Sequence, residues 1–147
     1  EYHKGRMSSA IVKMLPDVIN KGMIQLFKSD ELSFGDGEQK RDFIYVKDAA
    51  FMTVQFLKLD VGGLYNVGTG IASTWNDLAY ALFHAVDKEA MIQYIEMPDD
   101  LSGKYQSYTK ADMTKAIQIL GDGVKTMSLK ESVKDYVQNY LSKGKRW

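Results

Sequence analysis

The chain has 147 residues, 45% hydrophobic and 26% charged, and its nineteen basic and nineteen acidic side chains cancel to a formal net charge of zero. That length supports one domain, residues 1–147, whose core removes about 70% of the unfolded surface from water. A zero balance argues against a dedicated nucleic-acid or membrane-surface binder, and the absence of cysteine excludes disulfides and thiolate metal sites, in keeping with a reducing cytoplasm.

No apolar run approaches the roughly 18 residues of a membrane span. Residues 1–5 are polar and read as loop. They lack a signal peptide's apolar stretch and an initiator Met, so the chain is expected to be the back half of something longer. Ser8 or Ser9 can cap a helix, with apolar residues at 7, 11, 14, 15, 18 and 19 forming its stripe. Pro16 removes a donor and clashes with the preceding turn, which predicts a bend or two short helices ending at Asn20-Lys21-Gly22. Residues 24–27 read as a short strand. Residues 28–40 have no periodicity, with a turn at Gly35-Asp36-Gly37 and Phe34 as an anchor; a loop this long is expected to be functional or mobile.

The stretch Arg41-Asp42-Phe43-Ile44-Tyr45-Val46-Lys47 reads as a strand, followed by Asp48 as the N-cap of a helix through Leu57. A cation at the mouth of a strand, with a capped helix behind it, is a place to hold an anion. The alternative is that Arg41 pairs with Asp42 or another surface carboxylate. After a turn at Val61-Gly62-Gly63, residues 64–67 read as a buried strand and Gly68-Thr69-Gly70 as a sharp turn. Thr74 with Asp77 predicts a capped helix burying Leu78, Ala81, Leu82 and Ala85. Residues 91–97 alternate as a strand, ended by Pro98. Thr109 with Asp112 opens a helix stopped by Gly121, and the capping box of Ser128 and Glu131 opens the last, amphipathic one. Short strands alternating with about five helices give an α/β class, with too few strands for a complete doubly wound sheet.

Several signatures of chemistry are missing. Gly68-x-Gly70 follows a predicted strand, but the third glycine of a dinucleotide fingerprint does not come at the needed spacing. His3 and His84 are too few and too far apart to predict a metal site. Lys4 by itself reads as a solvated terminal lysine, although a lysine placed in a ligand pocket can trade protons near neutral pH. The planar fork of Arg41 suits bidentate grip on a diphosphate. Phe27 could pack on a flat base or end a core strand.

The wording of Arg41-Asp42-Phe43-Ile44-Tyr45-Val46-Lys47-Asp48, with Tyr65-Asn66-Val67-Gly68-Thr69-Gly70 further on, resembles the C-terminal half of extended short-chain dehydrogenase/reductases acting on nucleotide sugars. The opening Glu1-Tyr2-His3-Lys4-Gly5 and the turn Gly103-Lys104-Tyr105-Gln106 narrow the resemblance to the family of ADP-glycero-manno-heptose 6-epimerases. It covers essentially the whole chain, with the four motifs in the family's order.

The resemblance implies the small substrate domain of such an enzyme, preceded elsewhere by a Rossmann domain that holds NADP and a Tyr-x-x-x-Lys pair, neither of which this chain contains. The implied reaction is inversion at C6 of the heptose, in bacterial synthesis of the lipopolysaccharide inner core. Lys4 falls on one of the family's two acid/base residues, next to both cofactor and substrate. Arg41 falls on the diphosphate, and Phe27, Lys28, Ser29 and Asp30 on the segment at the nucleotide end. Tyr105 falls on a substrate-contacting tyrosine. Arg6 and Lys13 fall on substrate positions, Lys13 standing where histidine is frequent. Asn66 and Asp48 are assigned to backbone and cap bonding.

The segment alone is expected to be inactive, to be cytoplasmic, to contact neither nucleic acid nor membrane, and to form a homo-oligomer. Its partners would be an ADP-heptose-type nucleotide sugar and the Rossmann domain. The alternatives are the same part of another nucleotide-sugar epimerase or dehydratase, and a non-catalytic sugar-nucleotide binding module.

Overall fold

Ser9 accepts a hydrogen bond from Val12 N (3.4 Å) and starts helix α1, Ala10–Lys21, which closes at Gly22 in the left-handed conformation (φ 69°). The computed structural model, which describes residues 2–145, carries α1 through Pro16 as one helix, so the expected break does not occur. Packing explains the tolerance: Leu15 and Val18, on either side of the proline, are buried in the main core.

Strand β1, Ile24–Phe27, follows and runs parallel to β4, Ile92–Ile95, in register from Ile24 opposite Ile92 to Phe27 opposite Ile95. Between them come β2, Lys40–Arg41; α2, Val46–Leu57; β3, Ser73–Thr74; and α3, Trp75–Ala85. The strands β2 and β3 pair antiparallel, Lys40 opposite Thr74 and Arg41 opposite Ser73. Helices α4, Thr114–Leu120, and α5, Leu129–Tyr136, complete the order, α5 running on as a π turn over Val137–Leu141. The fold is α/β, with five α-helices and four short strands among the described residues.

Both expected capping boxes form. Thr74 Oγ1 accepts from Asp77 N (2.9 Å) while Asp77 Oδ2 accepts from Thr74 N (2.8 Å), and Ser128 and Glu131 repeat the exchange at α5. The face of α3 thus started buries Leu78, Leu82 and Phe83 against α1, β1 and α5. Each such side chain contributes about 1.5–3 kcal/mol of burial. A second, smaller cluster of Met52, Met113 and Ala116 joins α2 to α4.

Four local expectations are corrected. The strand expected over 41–47 is only Lys40–Arg41, and α2 begins at Val46 with no side-chain cap; Asp48 lies in its first turn and accepts instead from Met127 N (2.9 Å). Residues 64–67 pair with no strand among the described residues. Leu64 is 87% exposed, its carbonyl taken by Lys115 Nζ (2.9 Å), and Asn66 Nδ2 donates to Asp112 O. The buried strand expected there therefore finds no neighbouring edge among the described residues. Thr109 does not cap α4: the helix starts one residue after Met113, where Asp112 Oδ1 accepts from Thr114 N (3.0 Å).

Asp42 is the knot that binds the irregular segments. Its carboxylate accepts from Thr69 N (2.8 Å), Thr69 Oγ1 (2.6 Å), Gly70 N (2.9 Å) and Ala111 N (3.1 Å). Gly68 is required beside it, because a Cβ there would stand 2.5 Å from the Ala111 methyl and 2.9 Å from Asp42 Oδ2. Burial pushes the Asp42 carboxyl up, but the bonds from Thr69, Ala111 and Gly70 outweigh it and hold the group below its ordinary 3.8. A depressed carboxyl stabilises the fold above its ordinary value, and that contribution is lost as pH falls through the depressed one. Asp42→Ala is accordingly expected to lower unfolding free energy by about 1–3 kcal/mol near neutrality, with the two proteins converging in strong acid. Urea titrations across pH test this, and equal midpoints at pH 7 would contradict it.

Candidate functional site

The end of β1 and the start of β2 frame a small hollow of about 170 Å³, lined by Phe27, Gln39, Trp75 and Tyr105 among others. The Phe27 and Tyr105 rings meet edge-on, 6.5 Å between centroids, and the Arg41 guanidinium lies over the Tyr105 face at 4.9 Å. Arg41 Nη1 donates to Lys40 O (2.8 Å), and among the described residues the guanidinium pairs with no carboxylate. The alternative of an Arg41–Asp42 pair is thereby set aside. Asp42 is occupied by the 69–70 turn and Ala111, and the fork keeps most of its five donors for something else.

The 28–40 loop that covers this side is tied down rather than loose. Gly37 N donates to Phe27 O (3.2 Å), Asn76 N to Gly37 O (3.0 Å), and Asn76 Nδ2 to Asp36 O (3.0 Å). Gly37 (φ 69°) could not be another residue, since a Cβ would stand 2.3 Å from Asn76 Oδ1. The fully buried Gln39 reaches back to Lys28 O (3.3 Å).

A second, larger hollow of about 1070 Å³ opens between the first residues, the 43–47 segment and α5. Lys4 lines it from the 3₁₀ stretch Tyr2–Met7, which Ser8 closes by donating its hydroxyl to Gly5 O (2.8 Å). Its wall holds Tyr45, Lys47, Tyr136 and Tyr140. Asp135 organises them: Oδ2 accepts from Tyr45 Oη (2.7 Å) and Lys47 Nζ (2.7 Å), Oδ1 from Asn139 Nδ2 (2.8 Å). The Lys47 ammonium also lies 4.7 Å from the Tyr140 ring centroid. Donation by Lys47, then by Tyr45 and Asn139, lowers the Asp135 carboxyl to about 2. Burial, then the Asp135 carboxylate, pushes the Tyr45 phenol well above its usual range. Phe43 lines the large hollow and Trp75 the small one, and their rings meet edge-on at 5.2 Å, so one aromatic pair forms the wall between the two.

The structure thus brings together Phe27, Arg41 and Tyr105 of the expected site residues and places Lys4 apart from them, on the larger hollow. Lys13, exposed on α1, lines neither. Lys28 pairs with Glu96, Ser29 Oγ donates to Glu31 O (2.9 Å), and Asp30 accepts from Gly103 N (2.9 Å), so these three hold the loop. The side chain of Arg6 lies outside the described residues. Sequence reasoning missed Trp75, whose buried indole N–H makes no hydrogen bond among the described residues, and the Tyr45–Lys47–Asp135 group. Spacing held part of the second signal: Asp135 and Asn139 stand i,i+4 on the last helix, as do Tyr136 and Tyr140.

Residues 2–68 match the model of the NAD dependent epimerase/dehydratase family. The chain is similar to an ADP-L-glycero-D-manno-heptose-6-epimerase of Nitratidesulfovibrio vulgaris, 46% identical over 97% of this chain and 44% of that protein. The namesake in Fusobacterium nucleatum is 45% identical, again over 97% of this chain and 45% of its own length. The solved ADP-L-glycero-D-manno-heptose-6-epimerase of Helicobacter pylori superposes with a TM-score of 0.75 at 26% identity, covering 95% of this chain and 40% of that one. The chain spans less than half the length of the curated relatives it matches.

The large hollow makes its own prediction. A carbon-detected NMR titration is expected to find the Asp135 carboxyl at about 2, and Lys47→Met to move it toward its ordinary 3.8. An unchanged titration in the variant would contradict the pairing.

Proposed function

We propose that this chain, which belongs over residues 2–68 to the NAD dependent epimerase/dehydratase family, forms the nucleotide-sugar-binding wall of an ADP-glycero-manno-heptose 6-epimerase. The observation that carries this reading is the grouping of Phe27, Tyr105 and an Arg41 guanidinium that pairs with no carboxylate among the described residues. A flat base can pack against the Phe27 and Tyr105 rings, and a diphosphate can take the fork of Arg41 bidentately. Across the Phe43–Trp75 wall, the sugar end would reach the larger hollow and Lys4. There Lys4 can give a proton as the ammonium and take one as the amine at a heptose hydroxyl, as one half of an acid/base pair.

The reaction in this reading inverts C6 of the heptose and requires a hydride acceptor, NADP, to which this chain would bring Lys4 alone. The dinucleotide-like turn at residues 68–70 is closed off by Asp42, with Ala111 against Gly68, so no phosphate cradle remains there. The cofactor therefore belongs to the additional length that the relatives have, and with it the second acid/base residue. Exposed apolar side chains on α2 (Phe51, Val54 and Leu57) and Leu64 support a missing covering partner, whether the cofactor domain or further copies of the enzyme. The bacterial lipopolysaccharide inner core would be the destination of the product.

Calorimetry of the chain with ADP-heptose, ADP and UDP tests the reading. ADP-heptose is expected to bind most tightly, and Arg41→Ala to weaken it about tenfold or more through loss of charge-assisted bonds. Preference for UDP over ADP would favour a different nucleotide-sugar epimerase or dehydratase. The chain mixed with ADP-heptose and NADP is expected to give no epimer. In the complete enzyme, Lys4→Met is expected to lower kcat by about 10²–10⁴ with binding retained. Full activity of that variant would leave a non-catalytic binding module as the better account.

A further inference from the structure

The loop after β1 and the segment after β4 are distant in sequence and meet through side chains. Asp30 Oδ2 accepts from Gly103 N (2.9 Å) and Ser102 Oγ (3.3 Å). Glu31 accepts from the hydroxyl of the buried Ser107, and Lys28 pairs with Glu96 just past β4. Ser107 is also held by main chain, its carbonyl accepting from Lys40 N (2.8 Å), while Thr109 N donates to Lys40 O (3.0 Å). Tyr105 therefore stands midway between two fastened points, at 103 and 107. The turn at 98–104 closes on itself through Leu101 N and Ser102 N to Pro98 O and Lys104 N to Leu101 O. A Cβ at Gly103 would meet nothing within 4 Å, so no neighbouring side chain crowds that point of the turn, while its N–H is taken by Asp30.

A carboxylate aimed at a bound diphosphate would repel it, whereas one turned onto a backbone N–H and a hydroxyl keeps its charge satisfied away from the ligand. Donation by Gly103 is the leading cause that lowers the Asp30 carboxyl from its ordinary value.

We infer that Asp30 is a positioning residue for a nucleotide diphosphate: it fastens the Gly103 turn so that Tyr105 stands between Phe27 and Arg41, and it does not touch the ligand. This rests on the reading of the Phe27–Arg41–Tyr105 group as the nucleotide end. It assigns Asp30 a role opposite to the direct contact expected from the sequence.

The test uses the isotope-labelled chain, with amide exchange measured by NMR in the absence of ligand and ADP as the titrant. In Asp30→Ala the Gly103 amide is expected to exchange about tenfold faster, and ADP to bind about threefold to tenfold more weakly. Asp30→Asn keeps an acceptor oxygen and is expected to restore most of both. Weakened ADP binding with unchanged Gly103 exchange would show direct contact and overturn the inference. Faster exchange with unchanged ADP affinity would overturn it too. A wild-type chain that binds no ADP while Gly103 protection still depends on Asp30 would fail the nucleotide reading and leave the fastening standing.

Discussion

Four hydrogen bonds to one carboxylate set the shape of the region that matters. Asp42 gathers the turn at 69–70 and Ala111 onto the segment that links β2 to α2, and its immediate neighbours in sequence do the presenting. Arg41 on one side meets Tyr105, and Phe43 on the other meets Trp75 and lines the large hollow. Were Asp42 to pair with Arg41, both the knot and the cation's freedom would be lost together. A donor-rich niche for the carboxylate is what separates the two charges.

The same economy recurs around it. Much of the molecule's irregular backbone is held by side chains acting as local ladders: Asn76 under the 36–37 turn, Gln39 back to Lys28, Asp48 to Met127, Glu31 to Ser107. Short strands and buried helices supply the frame, and polar side chains supply the loops. This suits a surface that must present a few groups in fixed places while leaving hollows between them.

What the sequence disclosed was what local chemistry decides. Both capping boxes and the strands at 24–27 and 92–95 follow from residues a few positions apart. The expectations that failed depended on distant partners. Residues 64–67 read as a buried strand, yet pairing needs an edge that the described residues do not offer. Asp48 looks like a cap, but Met127, nearly eighty residues on, takes its carboxylate. Pro16 should break a helix, but flanking core contacts hold α1 together. The grouping of Phe27, Arg41 and Tyr105 brings together three residues that the sequence singled out only through a resemblance to a family. The Tyr45–Lys47–Asp135 group was not singled out, because only tertiary packing brings α5 to the start of α2.

The central claim is that a base and a diphosphate lie against Phe27, Tyr105 and Arg41. Intermolecular NOEs between the adenine protons of ADP-heptose and the rings of the labelled chain test it most directly. The account predicts contacts from the base to the Phe27 and Tyr105 ring protons, with a shift of the Arg41 side-chain Nε–H on saturation. Adenine contacts confined to the Tyr136 and Tyr140 rings of the other hollow, with Arg41 unmoved, would contradict it.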